Sequence, residues 1–374
     1  MHSRLTKLAR LLVHYSAAVK PGDFVLIQGE DITLPWINEV AKEAIKAGAH
    51  VETIVELPEV REALLKTGSE EQLLHEHLLQ KYALEKADVW LTAWGTKNTR
   101  ANSNISAENL RLAMLGAYSY RAIYSQRVGD GSLRWCGTQY PTQADAQEAN
   151  MSLSEYEAFV YGAGLLDYED PVREWQRIHT EQERWVSYLN KKKELHILSP
   201  GTDIRVKFEG RKWINCDGKE NFPDGEIFTS PLEDGIDGYI SFSFPGIFMG
   251  KEIEGIRLEV ERGKVTSARA EKGEDLLLTL LDTDQGSRFF GEVAIGTNYN
   301  IQQFTRNMLF DEKIGGTIHM AIGDAPAETG GLNRSVIHWD MLCDMRDEGK
   351  LYADGELFYE NGQFLESVLD APQR

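Results

Sequence analysis

Six residues between positions 226 and 340 have types and spacings that suit metal chemistry. The clearest pair is His338 and Asp340, in Val336-Ile337-His338-Trp339-Asp340. That segment reads as a strand, and strand residues two apart project to the same side. His338 and Asp340 should therefore point together while Ile337 and Trp339 pack behind. An imidazole beside a carboxylate suits a hard-to-borderline divalent cation. Thr317-Ile318-His319-Met320-Ala321 is a second strand-like segment with one histidine. Gly315-Gly316 precedes it, and Phe310-Asp311-Glu312-Lys313 lies just upstream. Glu226 (in Gly225-Glu226-Ile227-Phe228-Thr229) and Glu292 (in Gly291-Glu292-Val293-Ala294-Ile295-Gly296) each open an apolar strand beside a glycine. A carboxylate at the edge of an apolar strand needs a partner to offset its desolvation. A metal is one such partner; Lys313, Arg306 or Arg334 is another. For any one of these glutamates alone, a surface or salt-bridged side chain is the simpler reading. Four carboxylates and two histidines in glycine-flanked strand settings together point to a metal site.

Other candidate groups carry less. Of the nine histidines, all but His319 and His338 lie at or before His196, with no second ligand at a useful spacing. His75-Glu76-His77 falls in a helical stretch, where positions i and i+2 diverge, and reads as a solvated face. The three cysteines, Cys136, Cys216 and Cys343, are odd in number, widely spaced and without a CxxC. That pattern fits a reducing, cytoplasmic setting and argues against a disulfide scaffold or a thiolate zinc site. With 59 acidic against 40 basic residues the net charge is −19. Such a chain repels phosphate backbones, so nucleic acid is not an expected partner. The N-terminal segment has leucines at helical spacing with basic residues between, but no long apolar core and no small-residue cleavage site, unlike a signal peptide. No apolar run is long enough to cross a bilayer, so no membrane association is expected.

The elements that must position these groups fall into two domains, expected at 1–190 and 191–374. In the first, strands at Phe24–Gln28, Val51–Val55 and Ala87–Ala93 alternate with helical stretches at Pro35–Lys46 and Ser69–Leu84. That alternation implies an α/β domain, a parallel sheet with helices on its faces. Ser152-Leu153-Ser154-Glu155 is a capping box opening a helix through Tyr161, and Pro171–Leu189 reads as a longer helix. After Asn190-Lys191-Lys192-Lys193 the texture becomes short strands punctuated by glycine, a mixed, strand-rich α+β domain. A parallel sheet raises the question of a dinucleotide cofactor. The first strand runs into Gly29-Glu30-Asp31-Ile32-Thr33, with neither a G-x-G-x-x-G nor a P-loop, and two acidic residues there would repel a pyrophosphate. No dinucleotide is expected, and the first domain reads as a scaffold.

The exact strings then matter. Phe222-Pro223-Asp224-Gly225-Glu226-Ile227-Phe228-Thr229-Ser230-Pro231, Gly291-Glu292-Val293-Ala294-Ile295-Gly296-Thr297-Asn298, Leu309-Phe310-Asp311-Glu312-Lys313-Ile314-Gly315-Gly316-Thr317-Ile318-His319 and Asn333-Arg334-Ser335-Val336-Ile337-His338-Trp339-Asp340 closely resemble the thermophilic-aminopeptidase family of metallo-exopeptidases. Shorter matches, such as Lys20-Pro21-Gly22-Asp23 and Tyr140-Pro141-Thr142, carry the resemblance over nearly the whole chain. It implies a co-catalytic pair of divalent ions, zinc, cobalt, manganese or magnesium, on Glu226, Glu292, Glu312, His319, His338 and Asp340. It also implies release of N-terminal residues from peptides with a free N-terminus, by a metal-activated hydroxide, in a two-domain homodimer. Glu226 and Glu292 are the carboxylates expected to move the proton, and the sequence leaves the choice between them open. One departure stands out. The family usually carries a tyrosine seven residues after the histidine of the third motif, and here that position is Pro326. A different metallohydrolase (a dipeptidase or amidase) or a catalytically impaired metal-binding homologue therefore remains as an alternative.

Overall fold

The computed structural model describes residues 2–369 apart from Met249. Chain contacts divide it into two compact units. One comprises the residues up to Glu174 together with Gly218–Pro223; the other holds Trp175–Asp217 and the chain from Asp224 onward. The sequence places a boundary at 190/191. The contacts instead assign the helix Pro171–Leu189 from Trp175 onward to the second unit, because Trp185, Val186 and Leu189 are buried in that unit's core.

The first unit is built on a five-stranded parallel sheet in the order His50–Glu56, Phe24–Glu30, Val89–Trp94, Arg134–Gln139, Asn221–Phe222. Val25, Leu26 and Ile27 on the inner strand are buried, as a continuous apolar run in a parallel sheet must be. The helix Leu34–Lys46 starts with Pro35 in its first turn and buries Trp36, Ile37, Val40 and Ala44 along one stripe, the helical period at work. The expected single helix over Ser69–Leu84 is instead two short helices, Glu70–Leu73 and Leu78–Lys86. His75-Glu76-His77 occupies the break between them, not a helix. The end of the helix Ala107–Gly116 presses on that break: a Cβ on Gly116 would sit 2.5 Å from the Leu73 carbonyl oxygen and 3.1 Å from that of His75. The helices Pro58–Thr67, Ala107–Gly116 and Tyr118–Gly129 and the strand Arg134–Gln139 extend the alternation beyond the elements read from sequence.

The capping box at the start of Leu153–Ala163 is formed in both directions. The Ser152 hydroxyl accepts from the Glu155 amide at 3.3 Å, and the Glu155 carboxylate accepts from the Ser152 amide at 2.7 Å. Ser152→Ala should lower stability by about 1 kcal/mol, read as a shifted midpoint with unchanged slope in urea unfolding.

The second unit contains two larger antiparallel sheets. One has eight strands, from Lys264–Arg269 at one edge to Gln363–Phe364 at the other. The other has five, in the order His338–Asp344, Thr317–Gly323, Phe290–Gly296, Glu226–Thr229, Ile214–Cys216. The inner faces of both feed one core, which includes Ile204, Val206, Leu258, Val293, Ile295, Ile318, Met320, Trp339 and Met341. Burying each such side chain contributes about 1.5–3 kcal/mol, so the register of the five-stranded sheet is strongly set. Among the described residues, no helix is long and apolar enough to cross a membrane.

Candidate metal centre

The five-stranded sheet sorts its residues by parity. Val293, Ile295, Ile318, Met320, Trp339, Met341 and Ile227 face the core. Their neighbours in sequence face the other way, and cross-strand register brings them into rows: Glu226 opposite Gly296, His319 opposite Ala294, Glu292 and Asp340 opposite Ala321, and His338 opposite Gly323. Glu226, Glu292, His319, His338 and Asp340 thus share one face. The residues interleaved with them, Ala294, Gly296, Ala321 and Gly323, are small and leave the donor groups room to converge. The sequence-level expectation that His338 and Asp340 point together holds, with the strand beginning at His338 itself.

Glu312 arrives differently. It follows the short helix Met308–Asp311 as its C-cap and not from a strand, as its grouping with the others suggested. The turn is held by buried Asp311, which accepts from the Thr305 amide at 2.7 Å and hydroxyl at 2.9 Å. Burial pushes the Asp311 carboxyl up to about 7.

The donor atoms crowd together. His319 Nε2 lies 3.1 Å from Glu292 Oε1, 3.3 Å from Glu226 Oε2 and 3.9 Å from Asp340 Oδ1. His338 Nε2 lies 3.5 Å from Asp340 Oδ2 and 3.8 Å from Glu292 Oε2. Its Nδ1 lies 2.8 Å from the Asp324 carbonyl, which fixes that nitrogen as the donor and turns the Nε2 lone pair of the neutral ring toward the cluster. His319 is fully buried, whereas the His338 side chain is 35% exposed, so the cluster opens to solvent on the His338 side.

Lys313 completes the arrangement. Its side chain is fully buried, with Nζ 3.3 Å from Glu226 Oε1 and 3.9 Å from Asp224 Oδ1, and in contact with Glu312 Oε1. Sequence reasoning named it only as a possible ion-pair partner. Of the other two named, Arg306 pairs with Glu252, and Arg334 donates to the carbonyls of Ala325, Asn333 and Gly331. Cys216 was also passed over. It pairs with Glu226 in register and offers its sulfur within 4.8 Å of oxygens of Glu226 and Asp224. Lone cysteines on an adjacent strand carry no spacing signal.

Charge governs the cluster. Burial raises the Glu226 carboxyl to about 8 against the pull of Lys313, and burial also raises Glu312. For His319, burial disfavours the cation, but its bond to Glu292 and the charges of Glu226 and Asp340 win and raise it to about 9. His338 reaches about 11, with Asp340 and Glu292 outweighing burial. Burial would raise Asp340, yet His338 and His319 hold it down at about 2. Without a metal, imidazolium groups and Lys313 offset the carboxylates. Even so, Glu226 Oε2, Asp340 Oδ1 and His319 Nδ1 are buried without a hydrogen-bond partner. Buried polar atoms in that state call for a ligand or ion. Three overlapping donor groups (Glu226, Glu292 and His319; Glu292, His338 and Asp340; Glu312, His319 and Asp340) each hold their atoms within 4.8 Å of one another. The oxygen and imidazole donors fit divalent cations.

A family profile described as thermophilic metalloprotease (M29) matches residues 1–364. The chain belongs to this family. It is accordingly a metallopeptidase, a hydrolase of peptide bonds. It is similar to Aminopeptidase AmpS of Bacillus subtilis, at 27% identity over 96% of this chain and 98% of that protein. It is also similar to Aminopeptidase T of Thermus thermophilus, at 28% identity over 94% and 95%. Among solved structures, wild-type AmpT from Thermus thermophilus superposes with a TM-score of 0.85 at 24% identity, covering 97% of this chain and 99% of that one. The α/β fold of this metallopeptidase is thus shared with AmpT. A dihydroxypyridine dioxygenase from Pseudomonas putida shares the fold more loosely, with a TM-score of 0.60 at 15% identity over 96% of both chains. The fold alone therefore does not decide the chemistry; the residues of the site do.

Pro326, where the family's tyrosine was expected, opens the turn Ala327–Thr329 in the connection between the two histidine strands. Its carbonyl accepts from the Thr329 hydroxyl at 2.6 Å. It brings no hydroxyl to the site.

Proposed function

We propose that this metallopeptidase is an aminopeptidase that releases N-terminal residues from peptides, using two divalent ions held by Glu226, Glu292, Glu312, His319, His338 and Asp340. The observation that carries the reading is the overlap of the donor groups. Glu292, His319 and Asp340 each belong to two of the three, a layout suited to neighbouring ions sharing ligands. The aminopeptidase relatives supply the substrate class.

When bound, such ions lower the pKa of a water toward neutrality and polarise a scissile carbonyl. The chain's own residues do the rest. The Asp324 carbonyl and the cross-strand register hold the His338 ring, while Ala294, Gly296, Ala321 and Gly323 keep the face clear for substrate. Glu226 and Glu292 are the carboxylates that can carry a proton to the leaving amine. The donor set suits zinc, cobalt, manganese or magnesium. We also place the protein in the cytoplasm, in keeping with three cysteines that form no disulfide among the described residues, and as a homodimer, in keeping with the family resemblance. Light scattering after size-exclusion chromatography tests the dimer.

The exopeptidase assignment predicts a free amine requirement. Amino-acid p-nitroanilides should be hydrolysed after metal loading, and their Nα-acetyl derivatives at least about 100-fold more slowly, because acetylation removes the free amine that an exopeptidase site must pair with. Equal rates on both would overturn the aminopeptidase reading in favour of an amidase. Pro326 favours a second reading, a metal-binding homologue with impaired turnover. A metal-loaded protein that cleaves nothing in a broad peptide panel would select it.

A further inference from the structure

We infer that Lys313 is a positioning residue that ties Glu312 to Glu226 and so holds ligands of two donor groups of the candidate metal centre together. The inference rests on the metal reading above and assigns a role to a side chain that reading leaves out. The five ligand candidates on the sheet are aligned by strand register. Glu312 is not; it comes from a helix cap, and nothing in the sheet ladder fixes its carboxylate. Lys313 supplies that link. Its Nζ touches Glu312 Oε1 and lies 3.3 Å from Glu226 Oε1. Occupying the Oε1 atoms leaves Oε2 of each carboxylate for a metal, and Glu226 Oε2 is a buried atom without a hydrogen-bond partner.

The lysine is itself held in place. Its side chain is fully buried, and Asp224 Oδ1 lies 3.9 Å behind it. Its carbonyl accepts from the Asn298 amide at 3.0 Å, and the Asn298 side chain donates to the Asp224 carbonyl at 2.8 Å. Both backbones that carry the Lys313–Asp224 pair are thereby pinned to one residue. The charges agree with this role. Glu226, Glu292, Glu312 and Asp340 match two divalent ions, and Asp224 balances Lys313. Among the described residues Lys313 is ion-paired with Asp224, Glu226 and Glu312, and the last two fall in different donor groups, neither of which contains His338.

A cation near a metal site has two opposing effects, and their signs separate the possibilities. As a mere charge, Lys313 repels metal ions, and removing it would tighten binding. As a positioning residue it orients two ligands, Glu226 in one donor group and Glu312 in another, and removing it would weaken metal binding. The test is calorimetric titration of the full-length, metal-stripped protein with Zn²⁺, with Co²⁺ absorption as a second readout. In Lys313→Met, Zn²⁺ binding should weaken about 10-fold or more, the range that partners orienting metal ligands carry. The Co²⁺ d–d spectrum should change with it, because the ligands are reoriented. Folded K313M that binds both ions as tightly as the wild type, or more tightly, would overturn the inference. Should K313M not fold, Asp224→Asn loosens the lysine while keeping its shape. It should weaken binding by a smaller factor, and unchanged affinities there would also overturn the inference. A wild-type chain that binds no divalent ion would instead remove the metal reading itself.

Discussion

Replacing His319 with alanine is expected to lower kcat/KM by at least about 10³-fold, roughly 4 kcal/mol of transition-state stabilisation. Metal retention measured after desalting should fall with it. His319 sits on an inner strand of its sheet, fully buried, with Nε2 within 3.9 Å of Glu226, Glu292 and Asp340. It is the residue that draws most of the carboxylates together. In the metal-free state its imidazolium also offsets them, so removing it leaves buried carboxylates short of a cation. Breaking a buried charge pair in this way costs about 3–5 kcal/mol, and metal-free H319A should melt well below the metal-free wild type. A substitution one residue earlier separates this from general damage to the strand. Ile318 points into the core on the opposite face, so Ile318→Val should cost about 0.5–1.5 kcal/mol of stability and leave kcat/KM unchanged. H319A that keeps its metal and stays within tenfold of wild-type activity would sink the assignment.

How much of this was legible beforehand depends on the distance over which each signal acts. The pairing of His338 with Asp340 was readable because side chains on a strand alternate with a period of two, and core burial of Ile337 and Trp339 follows from the same rule. The strand Phe24–Glu30, the helix Leu34–Lys46 and the capping box at Ser152 were readable for similar local reasons. Register between strands was not. Nothing near Glu226 in sequence says that it will face Gly296, or that Cys216 will stand beside it. Local setting marked Glu226 and Glu312 as candidates, and the family strings made them members of one ligand set. Lys313 was the hardest to see, since a lysine in a short polar run normally lies in solvent, and its full burial is tolerable only because Asp224 and Glu226 of a distant segment join neighbouring Glu312 around it. The broken helix at His75–His77 failed for the reverse reason: local propensity favoured helix, and the close approach of Gly116 overrode it.

The second large effect is a proton–metal exchange that makes metal affinity and metal-free stability depend on pH in opposite directions. In the metal-free site, neighbouring carboxylates raise His319 to about 9 and His338 to about 11. At pH 7 both are protonated, and a divalent ion must displace those protons to reach the nitrogens. Glu226, raised to about 8, also carries a proton there, so binding should release about three protons per chain, measurable by calorimetry in buffers of different ionisation enthalpy, and apparent affinity should climb steadily from pH 6 to pH 9. For folding, the sign is reversed. A histidine whose folded pKa is raised stabilises the native state below its unfolded pKa, near 6.5. That contribution is lost as pH rises through 9 and beyond. Glu226, raised to about 8, acts in the same direction: the native state holds its proton longer than the unfolded chain does, so stability falls as pH climbs from the ordinary carboxyl range through 8. Asp340, held at about 2, opposes this only in acid, where its contribution fades as pH falls toward 2. Solvent screening on the open side weakens the His338 share, so His319 and Glu226 should dominate. The metal-free protein should thus lose melting temperature between pH 6 and pH 9, and the metal-loaded protein should lose much less, since ions replace the protons. A chelator should then lower the melting temperature more at pH 9 than at pH 6. Proton release near zero, or a chelator effect that does not grow with pH, would show that these histidines do not bind the metal.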